Sequence, residues 1–287
     1  MVARKNEKLN QLQRTLPEGL MVDAAWLEDL GVSKSLRAKY LKSGWLERVA
    51  RGLYQRPPGR LTFARPSDGV EWQRVVISLQ DLMGQRIHIG GRSALELTGF
   101  SHYLPAAGMR EVHLFSQVDP FPTWMNAVRV NTKWVTHLTL RLFGLEEQMV
   151  DGRMVRVGPV SSASFTFQHW GHEGWRLTLS TPERAALELV DQLPDRESFE
   201  QVDEMFGGLV SLSPRRMQHL LEACRSIKAK RLFMFYAERH NHAWFKKLDR
   251  SRIDLGTGKR AIAEGGRYDP NYQITVPEFL LKGRNAF

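Results

Sequence analysis

The sequence predicts an α+β protein: an N-terminal winged helix-turn-helix domain, then a larger mixed α/β domain with mainly antiparallel sheet and C-terminal helices. Three observations carry this. Residues 22–57 hold two helical periods separated by Gly31-Val32, then a short alternating stretch that turns at Arg51-Gly52. The middle of the chain repeats short alternating apolar runs broken by glycines and by Asp151-Gly152. The last third opens helices at Thr181-Pro182-Glu183 and Ser213-Pro214, with proline in the first helical position. A chain of 287 residues, 42% hydrophobic and 25% charged, suits two domains with true cores. The expected division is 1–58 for the winged helix, 59–69 for a Pro/Gly-rich linker and 70–287 for the C-terminal domain.

A first helix is expected from Lys5 to Leu16, with Leu9, Leu12 and Leu16 on one face and Pro17 as the stop. Asp23 caps a second helix carrying Ala24, Leu27 and Leu30. Ser33 caps a third, which Gly44 ends. At about 100° per residue, Leu36, Tyr40 and Leu41 bracket the inward face of this third helix. Ser35, Ala38, Lys39 and Lys42 lie opposite, and Arg37 falls nearer the apolar side. Trp45, Leu46 and Val49 then alternate with charged residues, and Leu53 and Tyr54 return, closed by Pro57-Pro58.

That arrangement points to DNA. A reading helix meets base edges with its N-terminal residues, and small side chains let it sink into a major groove. The expected contacts are Ser33, Lys34, Ser35, Lys39 and Lys42 on the helix, with Arg48, Arg51 and Arg56 on the wing reaching the backbone or a minor groove.

Farther along, a helix is expected over Val70–Met83, strands over Arg86–Ile89, Glu111–Ser116, Val128–Val130 and Trp134–Phe143, and a short helix over Ser93–Thr98. Hairpins are expected at Met149–Val157 and Phe165–Leu179. Helices follow from Thr181, Ser213 and Lys228, the last to His240, ahead of a turn-rich tail.

The formal charge of +10 is uneven. Residues 1–60 hold 12 Lys/Arg and 6 Asp/Glu, and residues 213–260 hold 13 and 4, whereas 61–212 hold 13 and 18. The second block suggests a further basic surface on Arg215, Arg216, Lys228, Lys230 and Arg231, facing RNA, the operator or an acidic partner. Cys224 is the only cysteine, so no intrachain disulfide or cysteine-based zinc site forms. No apolar run approaches the ~20 residues needed to span a bilayer, and the N-terminus MVARKNEKLNQ lacks a signal-peptide core. Together these favour a cytoplasmic location with no membrane partner.

Several constellations point only weakly to chemistry. His240-Asn241-His242 has the letters of an HNH nuclease but follows a helix and lacks its downstream ligands. His169, His172 and Glu173 sit in a Gly-broken hairpin, where i, i+3 spacing does not share a face. Gly90-Gly91-Arg92-Ser93 between strand and helix could cradle a phosphate but lacks the P-loop lysine, and a plain strand-to-helix turn is favoured. Gly256-Thr257-Gly258-Lys259 is too short for a P-loop. No catalytic site, metal or cofactor is expected.

The chain resembles the AbiEi antitoxins of type IV toxin–antitoxin systems. The resemblance rests on Gly44-Trp45-Leu46, Arg51-Gly52-Leu53-Tyr54, the segment Gly91 to Gly99 (GRSALELTG), Ser180-Thr181-Pro182-Glu183-Arg184-Ala185, Lys228 to Phe233 and Arg252 to Gly256. It implies a non-enzymatic protein whose N-terminal domain represses its own operon at inverted repeats in double-stranded operator DNA. It further implies that the C-terminal domain counteracts an AbiEii-like nucleotidyltransferase toxin, without a stable complex being required. The alternative reading is a ligand-sensing winged-helix regulator outside toxin–antitoxin systems; a metal-dependent nuclease is a third.

Overall fold

The computed structural model describes residues 2–57, 69–100, 109–116, 119–138, 142–144, 146–150, 153–157, 164–171 and 174–282, with backbone alone for 2–6, 146–150 and 153–157. The expected linker but for Gly69, the Asp151-Gly152 turn, Leu140, His172 and Glu173 lie outside the described residues.

Helix α1 (Val2–Thr15) buries Leu12 and, just past its end, Leu16. Strand β1 (Met21–Asp23) follows, then α2 (Ala24–Asp29) and α3 (Lys34–Lys42). Both caps form: the Asp23 carboxylate accepts the Trp26 N–H at 2.8 Å and Ser33 Oγ accepts the Leu36 N–H at 3.4 Å. Strands β2 (Glu47–Ala50) and β3 (Leu53–Gln55) make the expected hairpin, and β1 joins it in an antiparallel sheet of order β1-β3-β2. Strand β1 has no counterpart among the expected elements, because three residues are too short to display a period of two.

Helix α4 (Trp72–Ile77) runs into a π-helical turn, Ser78–Leu82. That turn is where the N-terminal elements dock. Ser78 Oγ accepts the Met21 N–H at 3.0 Å, and the Leu82 carbonyl accepts the Trp26 indole N–H at 2.8 Å. Strands β4 (Ile87–Ile89), β5 (Glu111–Ser116), β6 (Lys133–Leu138), β9 (Phe165–Trp170) and β10 (Trp175–Ser180) form the main sheet, with α5 (Gly91–Leu97) between β4 and β5. Strands β7 (Glu146–Val150) and β8 (Arg153–Val157) pair with each other as a separate hairpin.

Four of the six strand pairings described after residue 69 are antiparallel, in line with the expectation of mainly antiparallel sheet, but the main sheet itself is mixed. The order is β6-β5-β4-β10-β9; β4–β5 and β9–β10 are antiparallel, but β5–β6 and β4–β10 are parallel. Parallel neighbours require long crossovers, and local alternation carries no trace of them. Residues 128–130 are not a strand either: a 3-10 turn, Thr123–Ala127, precedes them and Val130 only bridges to Val70.

Helices α6 (Pro182–Asp191), α7 (Phe199–Gly208), α8 (Pro214–Ala223) and α9 (Ile227–Arg239) complete the fold, with a terminal hairpin of β11 (Arg267–Asp269) and β12 (Ile274–Val276). Helix α7 is an addition to the expected elements, although Ser198 caps it and its apolar positions Phe199, Val202, Met205 and Phe206 hold helical spacing. Helix α6 is buried from Glu183 to Val190, packed against α5, α8 and α9, so the polar side that carries Arg184 and Glu188 is enclosed along with its apolar one.

Candidate nucleic-acid interface

The exposed side of α3 is the one the helical period puts there. Ser33, Lys34, Ser35, Ala38, Lys39 and Lys42 are all exposed, and the three lysines have no ion-pair partner among the described residues. The opposite side is anchored. Tyr40 is buried, and Arg37, 8% exposed, donates to the Ala24 carbonyl and to Glu28, each at 3.3 Å. Its guanidinium lies 5.1 Å from the centroid of the Tyr54 ring, on β3. A cation on the inner face of α3 therefore ties the helix to α2 and to the hairpin, using its apolar stem for burial.

On the hairpin, Arg48 and Arg51 are exposed. Arg48 packs over the same Tyr54 ring at 5.8 Å, which limits its rotamers and holds its charge beside β2. Arg56 does not belong with them. Its guanidinium donates to the Gln13 and Leu16 carbonyls at 3.0 and 3.5 Å and pairs with Glu18 at 2.8 Å. It satisfies carbonyls at the end of α1, which the helix itself leaves open, and is corrected from DNA contact to structural tether.

The second basic block is also redistributed. Arg231 is 1% exposed and donates to the carbonyls of Leu255, Gly258 and Gln273 at 2.7, 2.6 and 3.2 Å, so it holds the tail in place. Lys230 is 3% exposed. Lys228 spends its ammonium on the Asp191 and Leu193 carbonyls, both at 2.7 Å. Arg216 pairs with Glu183 at 3.1 Å. Lys228, Lys230 and Arg231 are therefore corrected from surface to interior or committed positions, because α9 is enclosed on most of its circumference. Arg215 alone of the five is exposed without a partner among the described residues; with His219, Lys247 and Arg252 it borders an open groove of about 460 Å³ that also contains Glu222 and Asp249.

The Gly90-Gly91 turn holds a carboxylate of the protein's own. Glu188 Oε2 accepts the Gly91 N–H at 3.0 Å and the Ser180 hydroxyl at 2.8 Å; Oε1 accepts from Arg184 Nε at 2.7 Å and meets His88 Nε2 at 2.9 Å. A Cβ on Gly90 would collide with that carboxylate and with the Phe115 ring, and Gly91 sits at φ +51°. Burial raises the Glu188 carboxyl, but the neighbouring charges and donors outweigh it and hold the group at about 2. The Arg184 guanidinium lies 4.5 and 4.6 Å from the ring centroids of Phe143 and Phe165. The phosphate-cradle reading fails here because the helix N-terminus is already occupied by an anion. The Arg184 to Glu188 spacing of i, i+4 among the alanines and leucines of α6 is the sequence signal for this pair.

A second polar cluster lies beside it. Arg92 donates to Glu111 at 2.6 Å and meets His113 Nε2 at 3.0 Å, and His113 Nδ1 meets His137 Nε2 at 3.1 Å. Burial pushes His113 down to about 3 and His137 to about 4, so both rings are neutral near pH 7. Glu197, 4% exposed, lies 3.4 Å from Arg92 Nε, yet neither carboxylate oxygen has a hydrogen-bond donor among the described residues. Burial pushes it up to about 7, and Glu111 and Glu96 add to the effect against the pull of Arg92.

The His240-Asn241-His242 triplet is likewise structural. His240 pairs with Asp203 at 2.8 Å and His242 meets the Phe206 carbonyl at 2.6 Å. His169 is exposed on β9. Among the described residues no group of three or more His, Cys, Asp or Glu is placed to hold a metal ion, and no helix is long and apolar enough to cross a membrane.

These features define an α+β protein with a cationic helix–hairpin surface at one end. Residues 5–106 match the family model described as the transcriptional regulator, AbiEi antitoxin N-terminal domain, and residues 109–277 match that described as transcriptional regulator, AbiEi antitoxin, type IV TA system. The chain belongs to the AbiEi family of antitoxin transcriptional regulators. No curated protein matches it. Among solved structures it is similar to the RV2827C protein of Mycobacterium tuberculosis, at 15% identity and a TM-score of 0.49, covering 93% of this chain and 88% of that one.

Proposed function

We propose that this protein is the DNA-binding antitoxin of a type IV system, repressing its own operon through an N-terminal winged helix. On this reading residues 1–58 are the DNA-binding domain, 59–69 the linker and 70–287 the antitoxin domain. α3 is the reading helix and the β2–β3 hairpin the wing. The observation that carries the reading is the run of exposed Lys34, Lys39 and Lys42, with no ion-pair partner among the described residues, beside exposed Ser33, Ser35 and Ala38, with Arg48 and Arg51 on the adjoining hairpin. Cations free of internal partners are what a polyanion requires, and small side chains allow close approach to a groove.

Inverted repeats in the operator would take two copies, one on each half-site. The larger domain would counteract an AbiEii-like nucleotidyltransferase with no stable complex needed, and the protein itself would catalyse nothing. Of the second basic surface, Arg215 and the groove it borders remain the candidate contact. The test is a gel shift with the protein's own promoter. Lys39→Ala and Arg51→Ala should each weaken the shifted band about tenfold; a band unaffected by both would refute the placement of the reading face. Arg215→Glu, scored for rescue from the toxin with promoter binding measured in parallel, tests the groove; unchanged rescue and unchanged binding would remove it.

A further inference from the structure

Among the described side chains of residues 7–57, Trp45 is the only large hydrophobic one that is exposed, at 43%. Its backbone is fixed by hydrogen bonds. The Trp45 and Leu46 N–H groups both donate to the Tyr40 carbonyl, at 2.9 and 3.2 Å, and Leu46 is buried. Gly44, at φ +74°, turns the chain out of α3 in a conformation that a β-carbon disfavours. The backbone therefore roots the indole at the corner between α3 and the hairpin, with its side chain open to solvent.

Its polar tip is unused. The Trp26 and Trp244 indoles donate to the carbonyls of Leu82 and Leu209, whereas the Trp45 N–H, like the buried N–H groups of Trp124 and Trp134, has no acceptor among the described residues, and of these three indoles Trp45 is the exposed one. Within six residues of it in sequence, Lys42, Ser43, Arg48 and Arg51 are exposed, as is Glu47, whose carboxylate accepts from the Gln55 side chain on β3. An exposed indole with an apolar face and an N–H without an internal acceptor, on the turn that joins Lys42 of α3 to Arg48 of β2, matches a deoxyribose with its phosphate: the ring covers the sugar and the N–H meets an anionic oxygen.

We propose that Trp45 binds the DNA sugar–phosphate backbone, its N–H donating to a non-bridging phosphate oxygen and its ring packing on the adjoining deoxyribose. This rests on the winged-helix reading above. The contact is independent of sequence, so it serves operator and unrelated duplex equally.

The experiment measures affinity of the full-length protein for its promoter duplex and for an unrelated duplex, at several salt concentrations. Trp45→Ala should weaken both about 10- to 50-fold, and Trp45→Phe, which keeps a ring but loses the donor, about 5-fold. Neither should alter the slope of log affinity against log salt, because an indole carries no charge, whereas Lys39→Ala should reduce it by about 1. If both Trp45 variants bind normally while Lys39→Ala and Arg51→Ala do not, the proposal fails and the winged-helix reading stands. If the wild type binds neither duplex, both fall. Should Trp45→Ala misfold by circular dichroism, the Phe variant decides, and wild-type binding by it overturns the proposal. A loss confined to the promoter, or a loss accompanied by a changed oligomeric state, also overturns it.

Discussion

Glu188 on α6 and Gly91 at the start of α5 meet at 3.0 Å, carboxylate to backbone N–H, although 97 residues separate them. The two stretches GRSALELTG and STPERA, far apart in the chain, are thereby parts of one buried assembly: Ser180 and Arg184 from the second bind the same carboxylate that caps the helix of the first. Four groups converge on two oxygens, which is about the full accepting capacity of a carboxylate.

Replacing Glu188 should therefore be severe. Glu188→Gln leaves the Arg184 guanidinium buried without its anion, at a cost of about 3–5 kcal/mol. Urea denaturation of the variant, compared with wild type, measures it. A loss below about 1 kcal/mol would mean that the pair is not the keystone of this contact.

Arg231 and Arg215 should behave oppositely. Arg231→Met removes the donors of three tail carbonyls and should lower stability by about 2–4 kcal/mol. Arg215→Ala, at an exposed and unpartnered position, should stay within about 0.5 kcal/mol. Thermal melts of the two proteins side by side test the reassignment of the second basic block.

Glu197 should make stability fall as pH rises. Its carboxyl is pushed up to about 7 in the folded protein against an ordinary value of 4.5. Between those values the folded state holds a proton that the unfolded chain has released, so the unfolding free energy decreases with pH across that window. His113 and His137, lowered to about 3 and about 4, act in the other direction. The unfolded chain takes up protons on them below pH 6.5, and stability is lost as the pH falls. Glu197→Gln isolates the first effect. Its stability relative to wild type should rise from about pH 5 to about pH 8 by up to a few kcal/mol, since each tenfold change in proton affinity is worth about 1.4 kcal/mol. Equal pH profiles of variant and wild type would contradict the donor-free environment of Glu197.

Arg56 and Arg51 separate tether from contact. Arg51→Ala should reduce the salt slope of DNA binding by about 1, with little change in melting temperature. Arg56→Gln should do the reverse, lowering melting by several degrees as the α1 carbonyls lose their donor. A salt slope that responds to Arg56 but not to Arg51 would exchange their roles.

The helix–hairpin surface is legible in the sequence because its determinants are local. The caps Asp23 and Ser33, the period that turns Arg37 inward, and the Arg51-Gly52 turn act over a few residues, and the structure repeats them nearly position for position. Where a determinant spans the chain, local signals do not carry it. The mixed strand order depends on crossovers, Arg56 on a carbonyl row 40 residues earlier, and the burial of Arg231 on a tail that wraps back over α9.

By itself, the sequence determined helices α2 and α3 with their caps Asp23 and Ser33, the exposed cation face of α3, and, through its ordered motifs, the AbiEi family. Tertiary structure decided which charges remain available. A formal charge counts equally wherever it stands, but a cation folded against carbonyls or a carboxylate has already exchanged its water for internal partners. Among the described residues Lys34, Lys39, Lys42 and Arg51 are exposed without an ion-pair partner, whereas Arg56, Arg184 and Arg231 are committed to internal acceptors.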